Sequence, residues 1–235
     1  MTLCGAVCAQ NTTAPELKLN PDQVDQVHGH LFSVGLIDKI PDRLSKSTGD
    51  VDVHYAHVSG LEGGPANQSG YPPYRLKAWA CSADLVALVT AGSGTSHLNG
   101  DENFLYTDWA MLVRQALKNN ATRPIDVGSA IVVTRPGGEL NMNGRTVHAI
   151  DDNFKDFRSG SQYLLFLTYI SQTGAYEPSA ERAFVLSGGA TGHLTLNSQH
   201  AELESKDPAT LLKDTRAAVA AIAGWRTCSG GAEEK

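Results

Sequence analysis

The segment Gln162-Tyr-Leu-Leu-Phe-Leu-Thr-Tyr-Ile170 decides the fold class of this sequence. Apolar side chains occupy both alternating sets of positions along it, so an extended strand here would bury both of its faces. A strand with two buried faces lies in the middle of a sheet rather than at its edge. We therefore expect a mainly β protein with this segment near its centre.

Further strand patterns precede and follow the central segment. A hairpin is predicted over Leu140–Val147, because Asn143-Gly144 at its tip tolerates the positive φ angles of a tight turn. Other short strands are predicted at 85–90, 104–117, 130–134, 184–186 and 194–196. Many short strands joined by glycine turns favour a closed β-barrel or a sandwich.

Helices are predicted at the two ends of the chain. Asn20-Pro21 supplies a helix start for residues 21–35, and Asp207-Pro208 supplies one for residues 208–223. Four glycines and three prolines between Gly60 and Pro73 predict a loop. We expect a remnant of a signal peptide at 1–9, an N-terminal helical and irregular extension at 10–77, a barrel with the C-terminal helix at 78–228, and a flexible tail at 229–235.

Size and charge exclude some classes of function. The 235 residues correspond to one large domain, or one domain with an extension. The formal net charge of −6 argues against a protein that follows the phosphates of a nucleic acid. No run of the sequence approaches the ~20 apolar residues needed to cross a bilayer, so no membrane span is expected.

The first nine residues and the cysteines suggest export. Val7-Cys8-Ala9 fits the small-residue pattern before a signal-peptidase cut, although the same residues could be an ordinary N-terminus. Removal of residues 1–9 would leave Cys81 and Cys228. In an oxidising compartment these two would form one disulfide; the alternative is two unrelated buried thiols. The predicted location is secreted or periplasmic.

Part of the sequence resembles a known module. The resemblance is carried, in order, by Cys81-Ser-Ala-Asp-Leu-Val86, Leu117-Lys118, Ile131-Val-Val-Thr134, Phe157-Arg-Ser-Gly160 and Tyr163-Leu-Leu-Phe-Leu167. Over about residues 81–228 the chain resembles the netrin-like and tissue-inhibitor-of-metalloproteinase module, a five-stranded OB-type barrel with terminal helices, and uncharacterised exported bacterial proteins with the same strand pattern. In those inhibitors a cysteine at the mature N-terminus faces the target zinc. Here that position would be Gln10, so the resemblance implies the fold and a binding role without the inhibitory mechanism.

Two pairs of histidines are candidate metal ligands. His28 and His30 form one pair, and His54 and His57 form the other. Neutral imidazoles bind Zn²⁺ or Cu²⁺. The alternative is that these histidines face solvent or form hydrogen bonds within the protein.

A second candidate ion site is rich in oxygen ligands. Asp151, Asp152 and Asp156 could hold Ca²⁺, although their spacing does not match a helix-loop-helix calcium loop. Aspartates also stabilise turns without any ion, which is the alternative for this segment.

No sequence motif for catalysis is present: G-x-S-x-G, H-E-x-x-H and the phosphate-binding G-x-x-x-x-G-K-[ST] are all missing. We therefore expect a non-enzymatic binding module without a cofactor, which contacts a protein or a cell-envelope component through loops 92–103, 136–146 and 151–160. The candidate binding residues are Asn99, Asp101, Arg135, Gly137, Gly138 and Arg145. The alternatives are a structural subunit of a homo-oligomer and a metal-dependent or hydrolytic exported enzyme.

Overall fold

The computed structural model describes residues 21–31, 38–55, 72–187, 190–194 and 207–224. Its helices are α1 (Pro21–Leu31), α2 (Ile40–Lys46), α3 (Pro72–Ser82) and α4 (Pro208–Ile222). Its strands are β1 (Val51–Tyr55), β2 (Leu85–Leu98), β3 (Leu105–Lys118), β4 (Ala130–Pro136), β5 (Gly138–Met142), β6 (Arg145–Asp151), β7 (Gln162–Ile170), β8 (Ala175–Ser187) and β9 (Ala190–His193). The described protein is therefore mainly β with a C-terminal helix. None of the described helices has the length and apolar character needed to cross a membrane.

Five strands form a closed ring of hydrogen-bonded neighbours. Their order is β4-β3-β2-β7-β8, and a parallel pairing of Val133 on β4 with Tyr176 on β8 closes the ring. β9 pairs with the far part of β8. β7 lies between β2 and β8, and buried residues occupy both of its faces from Tyr163 to Leu167. The prediction of a central strand at 162–170 is confirmed.

A separate three-stranded sheet combines β1, from the N-terminal part of the chain, with β5 and β6, which lie between β4 and β7 in sequence. Its order is β1-β6-β5, with β1 parallel and β5 antiparallel to β6. Asn143 and Gly144 form the β5–β6 turn with φ angles of 55° and 74°. The predicted Asn-Gly hairpin is therefore confirmed, and its positive φ angles explain the choice of residues.

Apolar side chains pack on both sides of the ring. The interior contains Val89, Val113, Val133, Leu165 and Tyr176, together with further buried residues of the same strands. Outside the ring, α3 and α4 cover a second cluster. That cluster includes Trp79, Phe166, Phe184, Leu211 and Ile222. Burial of these apolar side chains makes the largest favourable contribution to the packing of the ring and of helices α3 and α4.

Helix α3 was not predicted, because Pro72-Pro73 marks a loop in the sequence. In the structure these prolines open the helix, where the first turn tolerates a missing N–H. The C-terminal end of α3 is held by Lys118, whose ammonium donates to the carbonyls of Ala80 (2.9 Å), Cys81 (3.0 Å) and Ala83. Burial lowers the pKa of Lys118.

Helix α4 follows its prediction closely. Asp207 is the N-cap, and its carboxylate accepts the N–H of Thr210 at 3.0 Å. The helix covers Pro208–Ile222, against a predicted 208–223.

The N-terminal elements pack on the rest of the protein. α1 covers Pro21–Leu31 in the structure, and residues 32–35 of the predicted helix lie outside the described residues. Ile40 of α2 and Val53 of β1 share a buried cluster with Leu105 of β3 and Val147 of β6. The strand predicted at 194–196 is wrong at Leu194, which follows β9 as a bend, and residues 195–196 lie outside the described residues. The predicted signal remnant 1–9, residues 10–20, residues 60–71 of the predicted loop and the tail 229–235 also lie outside them.

Candidate functional site

Helix α1 docks on the ring through a buried histidine. His28 is 1% exposed. Its Nδ1 lies 3.1 Å from each carboxylate oxygen of Asp108 on β3, and its Nε2 lies 2.7 Å from Oγ1 of Thr173 in the β7–β8 turn. One imidazole therefore connects three separate elements.

A second polar contact joins α1 to β2 and β3. The Tyr106 hydroxyl donates to Oδ1 of Asp25 at 2.7 Å, and Nδ1 of His97 lies 3.5 Å from the same oxygen. The His97 ring stacks on Tyr106, with 5.2 Å between centroids and 15° between planes. Burial and the Asp25 carboxylate raise the pKa of Tyr106 well above its ordinary value. The phenol therefore stays protonated and acts as a fixed donor.

The β2–β3 turn faces α1 and is held in shape by Asn99. Its side-chain oxygen accepts the N–H groups of Asn103 (2.9 Å) and Phe104 (3.0 Å), and its amide donates to Oδ1 of Asn103 at 2.8 Å. Asn99 is 4% exposed, so these bonds are shielded from water. The β2–β3 turn is therefore held in one conformation by its own hydrogen bonds.

Between α1 and the β2–β3 turn lies a cleft of about 440 Å³. It is lined by Asp25, Gln26, Gly29, Leu98, Asn99, Gly100 and Asp101. A Cβ atom on Gly29 would lie 2.8 Å from Cβ of Asn99, so glycine is what allows α1 to approach the turn this closely. The lining therefore combines two aspartates, two amide residues, two glycines and one leucine.

Asp108, His28 and Thr173 follow the order carboxylate, imidazole, hydroxyl that activates nucleophiles in acyl-transfer enzymes. A nucleophile must also face the space in which substrate binds. Thr173 does not line the cleft, and His28 is buried with both nitrogens engaged. The arrangement therefore serves to hold α1 on the ring.

Of the histidines proposed as metal ligands, the two whose side chains the structure describes, His28 and His54, do not share a site. His28 contacts Asp108, whereas His54 is exposed and its Nδ1 lies 3.0 Å from Asp152. The side chain of His30 and all of His57 lie outside the described residues. Within the described ranges, no group of three or more histidine, cysteine, aspartate or glutamate residues could hold a metal ion.

The three aspartates proposed for calcium have separate partners. Oδ1 of Asp151 accepts the N–H of Asn153 at 2.8 Å, as a turn-forming aspartate does. Asp152 pairs with His54, and Asp156 pairs with Arg135.

Four candidate binding residues have structural roles. Arg135 is 1% exposed, and its guanidinium donates to the carbonyl of Phe154 at 2.6 Å. The guanidinium carbon also lies 4.8 Å from the centre of the Phe154 ring. Gly137 and Gly138 adopt φ angles of 91° and 144° at the β4–β5 junction. Arg145 donates at 2.6 Å to the carbonyls of two residues at the end of α2, Leu44 and Ser47.

Of the candidate binding residues, Asn99 and Asp101 line the cleft. The other wall, with Asp25, Gln26 and Gly29, was missed because these residues belong to the predicted extension. Their only sequence signal was the helix start at Pro21, which does not show where the helix docks. No protein-family model and no curated protein matches this chain.

Proposed function

We propose that this chain is a secreted or periplasmic, non-enzymatic binding module. In this proposal an OB/netrin-like barrel recognises a protein or a cell-envelope component with the loops at one end. The observation that carries the proposal is the position of the cleft at the β2–β3 turn of the closed ring.

The strand order of the ring supports an OB-type barrel. The ring strands, numbered 1 to 5 in chain order, are β2, β3, β4, β7 and β8. Hydrogen bonds pair them around the ring in the order 1-2-3-5-4-1, and strands 3 and 5 are parallel. OB-folds bind ligands with strands 2 and 3 and with the loops 1–2 and 4–5. The equivalent loops here are the β2–β3 turn, which lines the cleft, and the β7–β8 turn, which holds α1 through Thr173. The binding assignment is an argument from fold analogy.

The packing of α3 and α4 supports the expected disulfide. Cys81 is 7% exposed and belongs to the same apolar cluster as Ile222, the last residue of α4. Cys228, six residues further along the chain, lies outside the described residues. A chain of six residues can span roughly 20 Å, which is ample to return to Cys81.

Site-specific photocrosslinking in the producing cell tests the proposal. p-Benzoylphenylalanine would replace Gly100, where an added side chain meets open space, and the matched control would carry it at Val127, which is 65% exposed in the β3–β4 loop. These loops lie at opposite ends of β3. We expect position 100 to crosslink to a different protein or to a cell-envelope component, and position 127 to give no crosslink. We also expect the mature chain to begin at Gln10 and to carry one disulfide.

Two outcomes would overturn the proposal. Equal labelling from both positions, or from neither, would show that the loop end has no specific partner. A product containing two copies of this chain would indicate a structural subunit of a homo-oligomer instead.

A further inference from the structure

The cleft between α1 and the β2–β3 turn carries a charge pattern that identifies a ligand class. We infer that it binds an arginine side chain of a partner protein. This inference rests on the proposed binding function and specifies the chemistry of the partner.

Each wall of the cleft contributes an aspartate. Asp25 comes from α1 and Asp101 from the turn. Both described contacts of Asp25 use Oδ1, and neither uses Oδ2. Among the described residues, neither carboxylate forms a salt bridge with a lysine or an arginine; the described pairs of that kind are Lys39–Glu102 and Arg135–Asp156.

The shape of the cleft suits one long side chain with its flanking main chain. Its volume of about 440 Å³ lies within the range of roughly 300–1,000 Å³ that is usual for ligand pockets. Gln26, Gly100 and Asp101 are exposed at its rim, so a bound segment can continue into solvent. A cation that enters between two carboxylates needs donors on more than one side. Guanidinium has five N–H donors in one plane, whereas the lysine ammonium is a compact point charge.

Both walls are fixed before any ligand binds. Asp25 is held by Tyr106 and His97, and the turn is held by the hydrogen bonds of Asn99. A preorganised site loses little conformational entropy on binding.

A peptide titration tests the inference on the full chain. The probes are Ac-Gly-Arg-Gly-amide and Ac-Gly-citrulline-Gly-amide, in which citrulline is the uncharged isostere of arginine. Binding is followed by amide chemical shifts of ¹⁵N-labelled protein. We expect the arginine peptide to shift the amides of Gly29, Asn99 and Gly100 with a Kd of about 1 mM, as befits a single side chain. The citrulline peptide should shift them far less.

Two matched variants localise the charge effect. Asp101→Asn should weaken arginine-peptide binding about 1.4- to five-fold, the range of an exposed ion pair. Asp126→Asn removes an exposed carboxylate in the β3–β4 loop, at the far end of β3, and should leave binding unchanged. The spectrum of each variant also reports whether it is folded.

Three results would refute the inference: no shift at these amides, equal shifts from both peptides, or equal losses in both variants. If the peptides fail while the crosslink from position 100 persists, the binding function stands and the arginine preference falls. If both fail, the proposed function falls with it.

Discussion

Replacement of Glu177 by glutamine should make the protein more stable above neutral pH. Glu177 lies on β8, opposite Thr168 of β7, and burial raises the pKa of its carboxyl from 4.5 to about 7. Each unit of pKa is equivalent to about 1.4 kcal/mol between the two protonation states. The full shift therefore corresponds to a cost of up to about 3 kcal/mol when the carboxylate is ionised in the folded protein.

The direction follows from proton binding. Below pH 4.5 the carboxyl is protonated in both the folded and the unfolded chain, so it contributes no difference. Between pH 4.5 and about 7 the folded protein keeps the proton that the unfolded chain has lost, so stability falls as pH rises. Above about pH 7 the cost is complete and constant. The Glu177→Gln variant has no ionisable group at this position and escapes the loss.

Urea denaturation at pH 4, 5.5, 7 and 8.5 measures the effect. The informative quantity is the stability of Glu177→Gln minus that of the wild type, which should rise by up to about 3 kcal/mol between pH 4 and pH 8.5. Asp126→Asn removes one negative charge from an exposed loop and controls for the change in net charge. Parallel pH profiles for Glu177→Gln and the wild type would refute the reasoning.

Three further substitutions test other contacts. Lys118→Met keeps the apolar stem of the side chain but leaves three carbonyls at the end of α3 without their donor. It should lower the free energy of unfolding by about 1–3 kcal/mol. The control Lys213→Met changes an exposed lysine of α4 and should have little effect. Asp156→Ala leaves the buried guanidinium of Arg135 without its carboxylate. Because the Asp156 side chain is itself 72% exposed, water can partly replace it, and the loss in urea denaturation should be about 1–3 kcal/mol. His28→Ala removes the contacts of α1 with β3 and the β7–β8 turn, and should accelerate hydrogen exchange of the α1 amides about ten-fold.

Controls for the last two substitutions are available on the surface. Asp152→Ala removes the exposed pair with His54 and should change stability by less than about 1 kcal/mol. His148→Ala removes an exposed contact with Glu139 and should leave α1 exchange unchanged. If Asp156→Ala were no worse than Asp152→Ala, or if His28→Ala left α1 protected, the corresponding contact would not stabilise the fold.

Local patterns predicted where most strands and the two terminal helices lie, but not how far the strands extend. β2 continues through the predicted loop 92–103 as far as Leu98, and β8 begins at Ala175 rather than at 184. The 162–170 segment is apolar on both faces because one face lines the interior of the ring and the other packs under α3 and α4. The Asn143-Gly144 turn and the Asp207 cap each depend on residues only a few positions apart. Because all the residues that determine such a turn or cap are close together in the chain, the sequence alone is enough to predict it.

Other features depend on residues far apart in the chain. The end of α3 is stabilised by Lys118, and the ring closes through Val133 and Tyr176; neither contact has a local signal. The same limit applies to the candidate site. Asn99 and Asp101 were predicted because they belong to the barrel loop 92–103, but the docking of α1 depends on His28 and a partner 80 residues away.

The cleft exists only while α1 is docked, because α1 forms one of its two walls. The described contacts that dock α1 are chiefly polar: His28 with Asp108 and Thr173, and Asp25 with Tyr106 and His97. Asp25 belongs to both systems, since it anchors the helix with one oxygen and also lines the cleft. A cation bound there would therefore contact the residue that fixes α1, and ligand binding should stabilise the docked helix by mass action. In the proposed binding module, residues 21–31 are therefore part of the binding unit, and a chain shortened to residues 78–228 should retain the ring strands but lose the cleft.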